Sequence, residues 1–166
     1  TIREEKDAQL ALVPYYCFTS SIYKGECTGS RVALMTAKSS DTPLYLAKIN
    51  GKEVYELAEK YLADSDEKFH VTNKYELPIA SGMKIIVSQE ENGFSLQDIE
   101  VNKKKTDKDK EYSILLTDTT MSVLKKINPE CEIRQLKDTT LSSAWTAAMA
   151  NGQQPSAPED YIEVEK

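Results

Sequence analysis

Histidine is almost missing from this 166-residue chain; His70 is the only one. A histidine-rich metal site is therefore excluded within it. Cysteine is scarce too. Cys17, Cys27 and Cys131 are odd in number, and their spacing fits no zinc or redox motif. Buried free thiols are the plain reading, and a Cys17–Cys27 disulfide stays open as the alternative for an exported protein. Positive charge is in deficit: 21 Lys and Arg stand against 27 Asp and Glu, a net charge of −6. Phosphate neutralisation needs a clustered basic excess, so a general nucleic-acid binder is excluded. The same deficit disfavours adhesion to anionic membranes. No apolar run approaches the roughly 20 residues of a membrane helix, so membrane insertion by this segment is not expected. The chain opens at Thr1 without an initiator Met or a signal peptide. It reads as a mature product or a piece of a longer protein, in which case a catalytic half would lie elsewhere.

What is present is ordinary for a globular domain: 40% hydrophobic and 29% charged residues. A chain of this length buries about two-thirds of its unfolded surface as one domain, 1–166. Its organising stretch is Pro43–Leu62. Leu44–Ile49 is a β-prone run broken only by Lys48 and ended by Asn50-Gly51, a turn signal. Val54, Leu57, Ala58, Tyr61 and Leu62 then recur at helical spacing on one face, with Lys52, Glu53, Glu56, Glu59 and Lys60 opposite. A helix striped in this way needs a sheet to lie on.

The charged start, Thr1–Lys6, reads as frayed. Ala8–Val13 is a buried strand stopped by Pro14, and Tyr15-Tyr16-Cys17-Phe18 follows as an aromatic cluster. It could line a pocket; the plainer reading is core filling at a sheet edge. Ser20–Thr28 is a connection, and Ser30–Ala37 is a short helix or strand. Lys38–Pro43 is a loop, and Ala63–Lys74 is irregular, with His70 at the surface. Leu77–Ala80 enters a strand, Ser81-Gly82 interrupts it with a bulge or close backbone approach, and Met83–Val87 resumes it. Glu90–Gly93 signals a hairpin back into Phe94–Val101, with Ile99 and Val101 on one face. Asn102–Glu111 is a lysine-rich solvated turn. Tyr112–Leu116 is the next strand. Asp118 is the expected cap of a helix through Ile127, ended by Asn128-Pro129. Cys131–Leu136 is a candidate strand. Thr139 or Thr140 caps a last helix through Ala150, with Leu141, Ala144, Trp145, Ala148 and Met149 on one face. Tyr161–Val164 is a short final strand. Segregated strands and helices predict an α+β fold, a mixed α/β sheet-and-helix arrangement rather than a regular doubly wound one.

Several of these segments, in order, resemble the C-terminal domain of bacterial 5′-nucleotidases and UDP-sugar hydrolases. Ala8–Val13 is similar to that domain's early strand, "aDiAlvN". Ser21-Ile22 with Lys24–Thr28 resembles "aSI…kGeiT". Leu44–Leu57 resembles "tlvvvkltGkeLlelLe", and Ser81-Gly82 sits at the "vSG" strand. Val101-Asn102 with Asp107–Tyr112 and Ile114 resembles "vNGkplDpdktYtV". Trp145 and Pro158 fall near the family's final helix and exit. The resemblance spans Ala8 to Glu165. It implies the fold of that domain, an extracellular or cell-surface setting, and a domain that binds the nucleoside part of a substrate. Hydrolysis would belong to a separate metal-binding domain upstream, whose Asp, His and Asn ligands have no counterpart here. No cofactor is expected in this chain; divalent metals enter only with such an upstream domain.

The binding positions depart from the family pattern. Its "NGGGIR" loop falls on Pro14–Thr19, where the glycines are gone and Thr19 replaces the arginine. Its "PFgN" loop falls on Ser39–Thr42. The second stacking aromatic falls near Thr119, and the "GGDGY" segment is absent. The weak ligand-binding candidates are therefore Tyr15, Tyr16, Phe18, Thr19, Ser39, Asp41 and Thr119. No catalytic and no metal-binding residue is expected. Cys17, Cys27, Ser81 and Thr119 lack a histidine partner at any recognisable spacing except His70, which leaves little room for a stand-alone enzyme. The expected function is a non-catalytic ligand-binding or interaction domain of a larger extracellular protein. Its partner would be a small molecule or an upstream domain of the same chain. The alternative is the substrate-binding domain of an active nucleotide hydrolase.

Overall fold

The structure, a computed structural model, describes residues 2–18, 28, 30, 41–62, 78–91, 93–151 and 162–165. Thr19, Cys27, Ser39, His70, Pro158 and Tyr161, with all of 63–77 and 152–161 and most of 19–40, lie outside the described residues.

Chain order runs α1 (Ile2–Glu5), β1 (Leu10–Val13), a 3₁₀ turn (Tyr15–Cys17), β2 (Pro43–Asn50), α2 (Gly51–Leu62), β3 (Ile79–Ser81) and β4 (Met83–Glu90). It continues with β5 (Gly93–Val101), β6 (Lys104–Lys105), β7 (Glu111–Thr117), α3 (Asp118–Ile127), β8 (Ile133–Thr140), α4 (Leu141–Ala150) and β9 (Ile162–Glu165). The strands form two sheets, ordered β3-β1-β7-β2-β8 and β6-β5-β4-β9. This is an α+β domain, as the segregation of strands and helices predicts.

In the five-stranded sheet β1 and β7 run parallel, while β2 runs antiparallel to both β7 and β8. The carboxyl ends of β1, β7 and β8 therefore share one end of the sheet. Alternation along β2 splits the core. Tyr45, Ala47 and Ile49 face one cluster, with Leu10 and Leu12 of β1, the α2 stripe, and Ile85, Val87 and Ile99 of the second sheet. Leu44 and Leu46 face the other, with Ala11, Val13, Leu115, Leu141 and Ala144. The predicted helix face is the buried one: Val54, Leu57, Ala58, Tyr61 and Leu62 are all buried. Helix α2 packs on β2, α3 and β5 and so joins the two sheets.

The Asn50-Gly51 pair differs from expectation. There is no intervening turn; the strand passes directly into the helix. Asn50 is the cap: its Oδ1 accepts from the Glu53 N–H at 3.0 Å, and Glu53 Oε2 accepts from the Asn50 N–H at 2.7 Å. Gly51 is needed for space. A β-carbon there would stand 2.1 Å from the Asp107 carbonyl oxygen. Gly82, at φ +77°, makes the predicted close approach, 2.1 Å from the Gln9 carbonyl oxygen to any added β-carbon, and is the joint between β3 and β4.

Three further expectations are corrected. The start of the chain is not frayed: Ile2–Glu5 is helical, and the Arg3 guanidinium donates to Ser81 Oγ at 3.1 Å and to the Gln9 carbonyl at 3.0 Å. Helix α3 is capped by Thr117, not Asp118, because the Thr120 hydroxyl folds back to accept the Thr117 N–H at 2.9 Å. Asp118 lies in the first turn, exposed, where a negative charge suits the helix dipole. The candidate strand at 131–136 runs instead from Ile133 to Thr140, with Cys131 buried ahead of it. The lysine-rich turn also contains a two-residue strand, β6, paired to β5. Thr140 caps α4 as predicted, accepting from the Ser143 N–H at 3.1 Å.

Candidate functional site

The sheet end that gathers the carboxyl ends of β1, β7 and β8 is where Tyr15, Tyr16, Phe18, Asp41 and Thr119 lie. Open sheets with parallel strands place ligands outside those ends, because the chain leaves the sheet there and loops become free to vary.

Pro14 ends β1, and the chain closes into a tight turn. Cys17 N–H donates to the Pro14 carbonyl at 3.1 Å, and Phe18 N–H to the Tyr15 carbonyl at 3.0 Å. Two backbone donors are thereby satisfied locally. The turn directs Cys17 inward and leaves Tyr15, Tyr16 and Phe18 half-buried at the rim. Tyr15 and Tyr16 meet edge to face, with centroids 5.8 Å apart and planes at 79°. Phe18 meets Trp145 of α4 in the same manner, at 6.4 Å and 83°.

The Tyr16 hydroxyl donates to Thr119 Oγ1 at 3.1 Å. These two candidates are 103 residues apart in sequence. Thr119 sits in the first turn of α3, positioned by the Thr117–Thr120 cap beneath it. Asp41 is exposed. It precedes Thr42, whose carbonyl accepts from the Leu141 N–H at 2.9 Å and so ties the entry of β2 to the start of α4. The structure thus brings Tyr15, Tyr16 and Thr119 into contact, joins Phe18 to Trp145, and places Asp41 at the same sheet end. Thr19 and Ser39 lie outside the described residues.

Beneath the rim, Cys17 is a buried free thiol. Burial pushes it up to about 12, and the Asp118 carboxylate adds to the shift. A buried, protonated thiol is a poor nucleophile. Tyr61, at the carboxyl end of α2, is buried beside Tyr15, Tyr16 and Cys17. Burial drives its ionisation far above the ordinary tyrosine range, the neighbouring Tyr16, Cys17 and Tyr15 side chains reinforce it, and the Tyr15 backbone hydrogen-bonds its hydroxyl in the opposite sense. Tyr61 reads in sequence only as one member of the apolar stripe. Trp145 likewise belongs to the α4 face, and only its uniqueness in the chain marks it. Its indole N–H is buried without a hydrogen-bond partner among the described residues.

Among the described residues, no group of three or more His, Cys, Asp or Glu side chains could hold a metal ion. Among them also, no helix is long and apolar enough to cross a membrane.

An α+β domain with two sheets, in which a 3₁₀ turn and two helices follow the carboxyl ends of β1, β7 and β8, is the class this geometry defines. No protein-family profile and no curated protein matches the sequence. Solved structures do. The 5′-nucleotidase precursor of Thermus thermophilus superposes with a TM-score of 0.72 at 17% identity, over 98% of this chain and 32% of that one. The NAD nucleotidase of Haemophilus influenzae gives 0.72 at 16% identity, over 99% of this chain and 32% of that one. A sulfate thiohydrolase of Thermus thermophilus gives 0.62 at 15% identity, over 98% and 30%. The chain has the 5′-nucleotidase C-terminal fold that the sequence motifs imply. It spans about a third of the length of the structures it matches.

Proposed function

We propose that this domain is a non-catalytic ligand-binding module of a larger extracellular or cell-surface protein, and that its ligand is not a nucleotide. The observation that carries this reading is the pair of contacts made from one turn at the carboxyl end of the five-stranded sheet, Tyr15–Tyr16–Thr119 and Phe18–Trp145. Such a rim supplies aromatic surface, hydroxyl groups and a shape fixed by helices on either side. The aromatic geometry argues against a stacked base. The Tyr15–Tyr16 pair crosses at 79° and the Phe18–Trp145 pair at 83°, so neither offers two parallel faces to hold a planar ring. The glycine-free turn spends its Cys17 and Phe18 N–H groups internally, which removes them from an approaching anion. A ligand with a carbon-rich face and a hydroxyl-bearing edge suits this corner better. The module needs no cofactor of its own.

Trp145, the only tryptophan in the chain, makes the test direct. Its emission is followed during titration with adenosine, uridine, UDP-sugars and a panel of free sugars and polyols. The expected result is a saturable change with a member of the last group, lost in Tyr16→Ala, and none with the nucleosides at micromolar concentration. Tight nucleoside binding, or silence across the whole panel, overturns the reading.

A second reading rests on one observation. Covering about a third of a nucleotidase chain suits the substrate-binding part of a working hydrolase. Saturable nucleoside binding in the titration is the result that selects it.

A further inference from the structure

We propose that the outer edge of β4 is a strand-acceptor site, which β9 occupies within its own chain and which accepts the β9 of a second copy. The edges of the described sheets bear on this. β6 is two lysines long, Lys104 and Lys105. β3 has three residues and is followed by the Gly82 joint held by Arg3. β8 carries Arg134, Lys137 and Asp138, all exposed, with Asp138 at φ +52°. Short length, charge and irregular backbone are the standard protections of an edge. Over Ile85-Ile86-Val87-Ser88 β4 is neither short nor charged; the register shift at Ile86/Val87 belongs to its pairing with β5, whereas the pairing with β9 is unbroken. That run is strongly β-prone, and its cover is β9.

The cover is lightly held. Four register pairs join it, from Ile85↔Ile162 to Ser88↔Glu165. The pairing is parallel in a sheet that is otherwise antiparallel, which is the weaker ladder. Ile162 and Val164 are only half-buried against the core. Glu163 pairs with Lys84 while their side chains stay 49% and 34% exposed, so water competes for both. β4 is the element on which β9 chiefly packs. A second copy carries the identical strand, with the same Ile–Glu–Val–Glu alternation and the same acidic match for Lys84. The acceptor edge therefore cannot distinguish the two sources, and exchange follows mass action.

The register supplies the test. Ile86 and Glu163 are direct partners, close enough across a parallel pair for a disulfide. Full-length chains carrying Ile86→Cys are mixed at high concentration with chains carrying Glu163→Cys, then oxidised gently. The doubly substituted chain, diluted, is the control that the pair can bond in cis. Circular dichroism confirms that each variant is folded. The expected result is a disulfide-linked heterodimer at least several-fold above the wild-type chain and each variant alone, falling with dilution and with an added excess of a Tyr161–Lys166 peptide. Efficient bonding in cis without heterodimer above background overturns the proposal. So does heterodimer that the peptide leaves unchanged.

Discussion

Gly51→Ala is the sharpest test of how the domain is joined. Two effects oppose one another. Alanine favours helix over glycine by at most about 1 kcal/mol. Against this, the new β-carbon meets backbone atoms rather than a flexible side chain: the Asp107 carbonyl oxygen at 2.1 Å, its carbon at 2.8 Å and the Lys108 Cα at 2.8 Å. Relief requires the 107–110 turn to retreat by about 1 Å or more, since carbon and oxygen rest roughly 3.4 Å apart. That turn is bound to the helix start by Gly51 N–H to the Lys110 carbonyl and Lys52 N–H to the Lys108 carbonyl, both 3.0 Å. Straining both bonds costs about 1 kcal/mol each, and overpacking adds about 1–3 kcal/mol. The net expectation is a destabilisation of about 3 kcal/mol. For a domain of this size that is a fall in Tm of about 6–12 °C, measured by circular dichroism. Urea midpoints should fall with an unchanged slope. A Gly51→Ala chain as stable as the parent, or more so, would show that the close approach is wrong and that helix propensity decides the position.

Thr120→Ala removes the hydroxyl that accepts the buried Thr117 N–H, and should cost about 1–2 kcal/mol in denaturant unfolding, with Thr120→Ser recovering most of it. Cys17 should resist a thiol reagent at pH 8, since a thiol pushed up to about 12 is ionised in only about one molecule in 10⁴; rapid labelling of Cys17 in the native state would refute its burial. For Asp98, burial opposes the charge, but Lys105, the Tyr55 hydroxyl and the Ile99 N–H outweigh it and hold the carboxyl below its usual range. A depressed carboxylate stabilises the fold above its unfolded value near about 3.9, and that contribution is lost as pH falls through the lower folded value. Asp98→Asn should therefore flatten the acid limb of a Tm-against-pH curve below about pH 4, and an unchanged limb would refute the assignment.

Local pattern carried much of the fold. The α2 stripe and the Thr140 cap are set by neighbours within a few residues, where periodicity and side-chain chemistry act directly; Gly82 was legible because a glycine interrupts the strand pattern, although the backbone it approaches, Gln9, is distant in sequence. Asp118 misled because two adjacent positions offer capping oxygens, and Thr120 three residues on decides in favour of Thr117. Thr1–Lys6 misled because its order comes from Arg3 reaching Ser81, a contact 78 residues away that composition does not register. The same limit applies at the site. The aromatic cluster itself was legible in Tyr15–Phe18; that Tyr16 reaches Thr119, 103 residues away, was not. Tyr61 and Trp145 were not, because a side chain under a distant turn looks in sequence like any other core residue. Nor does anything local in Tyr161–Val164 announce a parallel partner.

The strand order has a consequence for how the chain is made. No two neighbours in the β3-β1-β7-β2-β8 sheet are consecutive in the sequence. Leu10 lies against Ile114, 104 residues later, and Ala47 against Ile133. The β4–β5–β6 hairpins close locally and can form early. β1 has no parallel neighbour until β7 has left the ribosome, a wait of about 5–20 s at ordinary synthesis rates. For that interval Leu10 and Leu12 stand without the core that later covers them. The sheet end that holds the aromatic rim thus cannot acquire its shape before β7, β8 and the helix that carries Trp145 have been made.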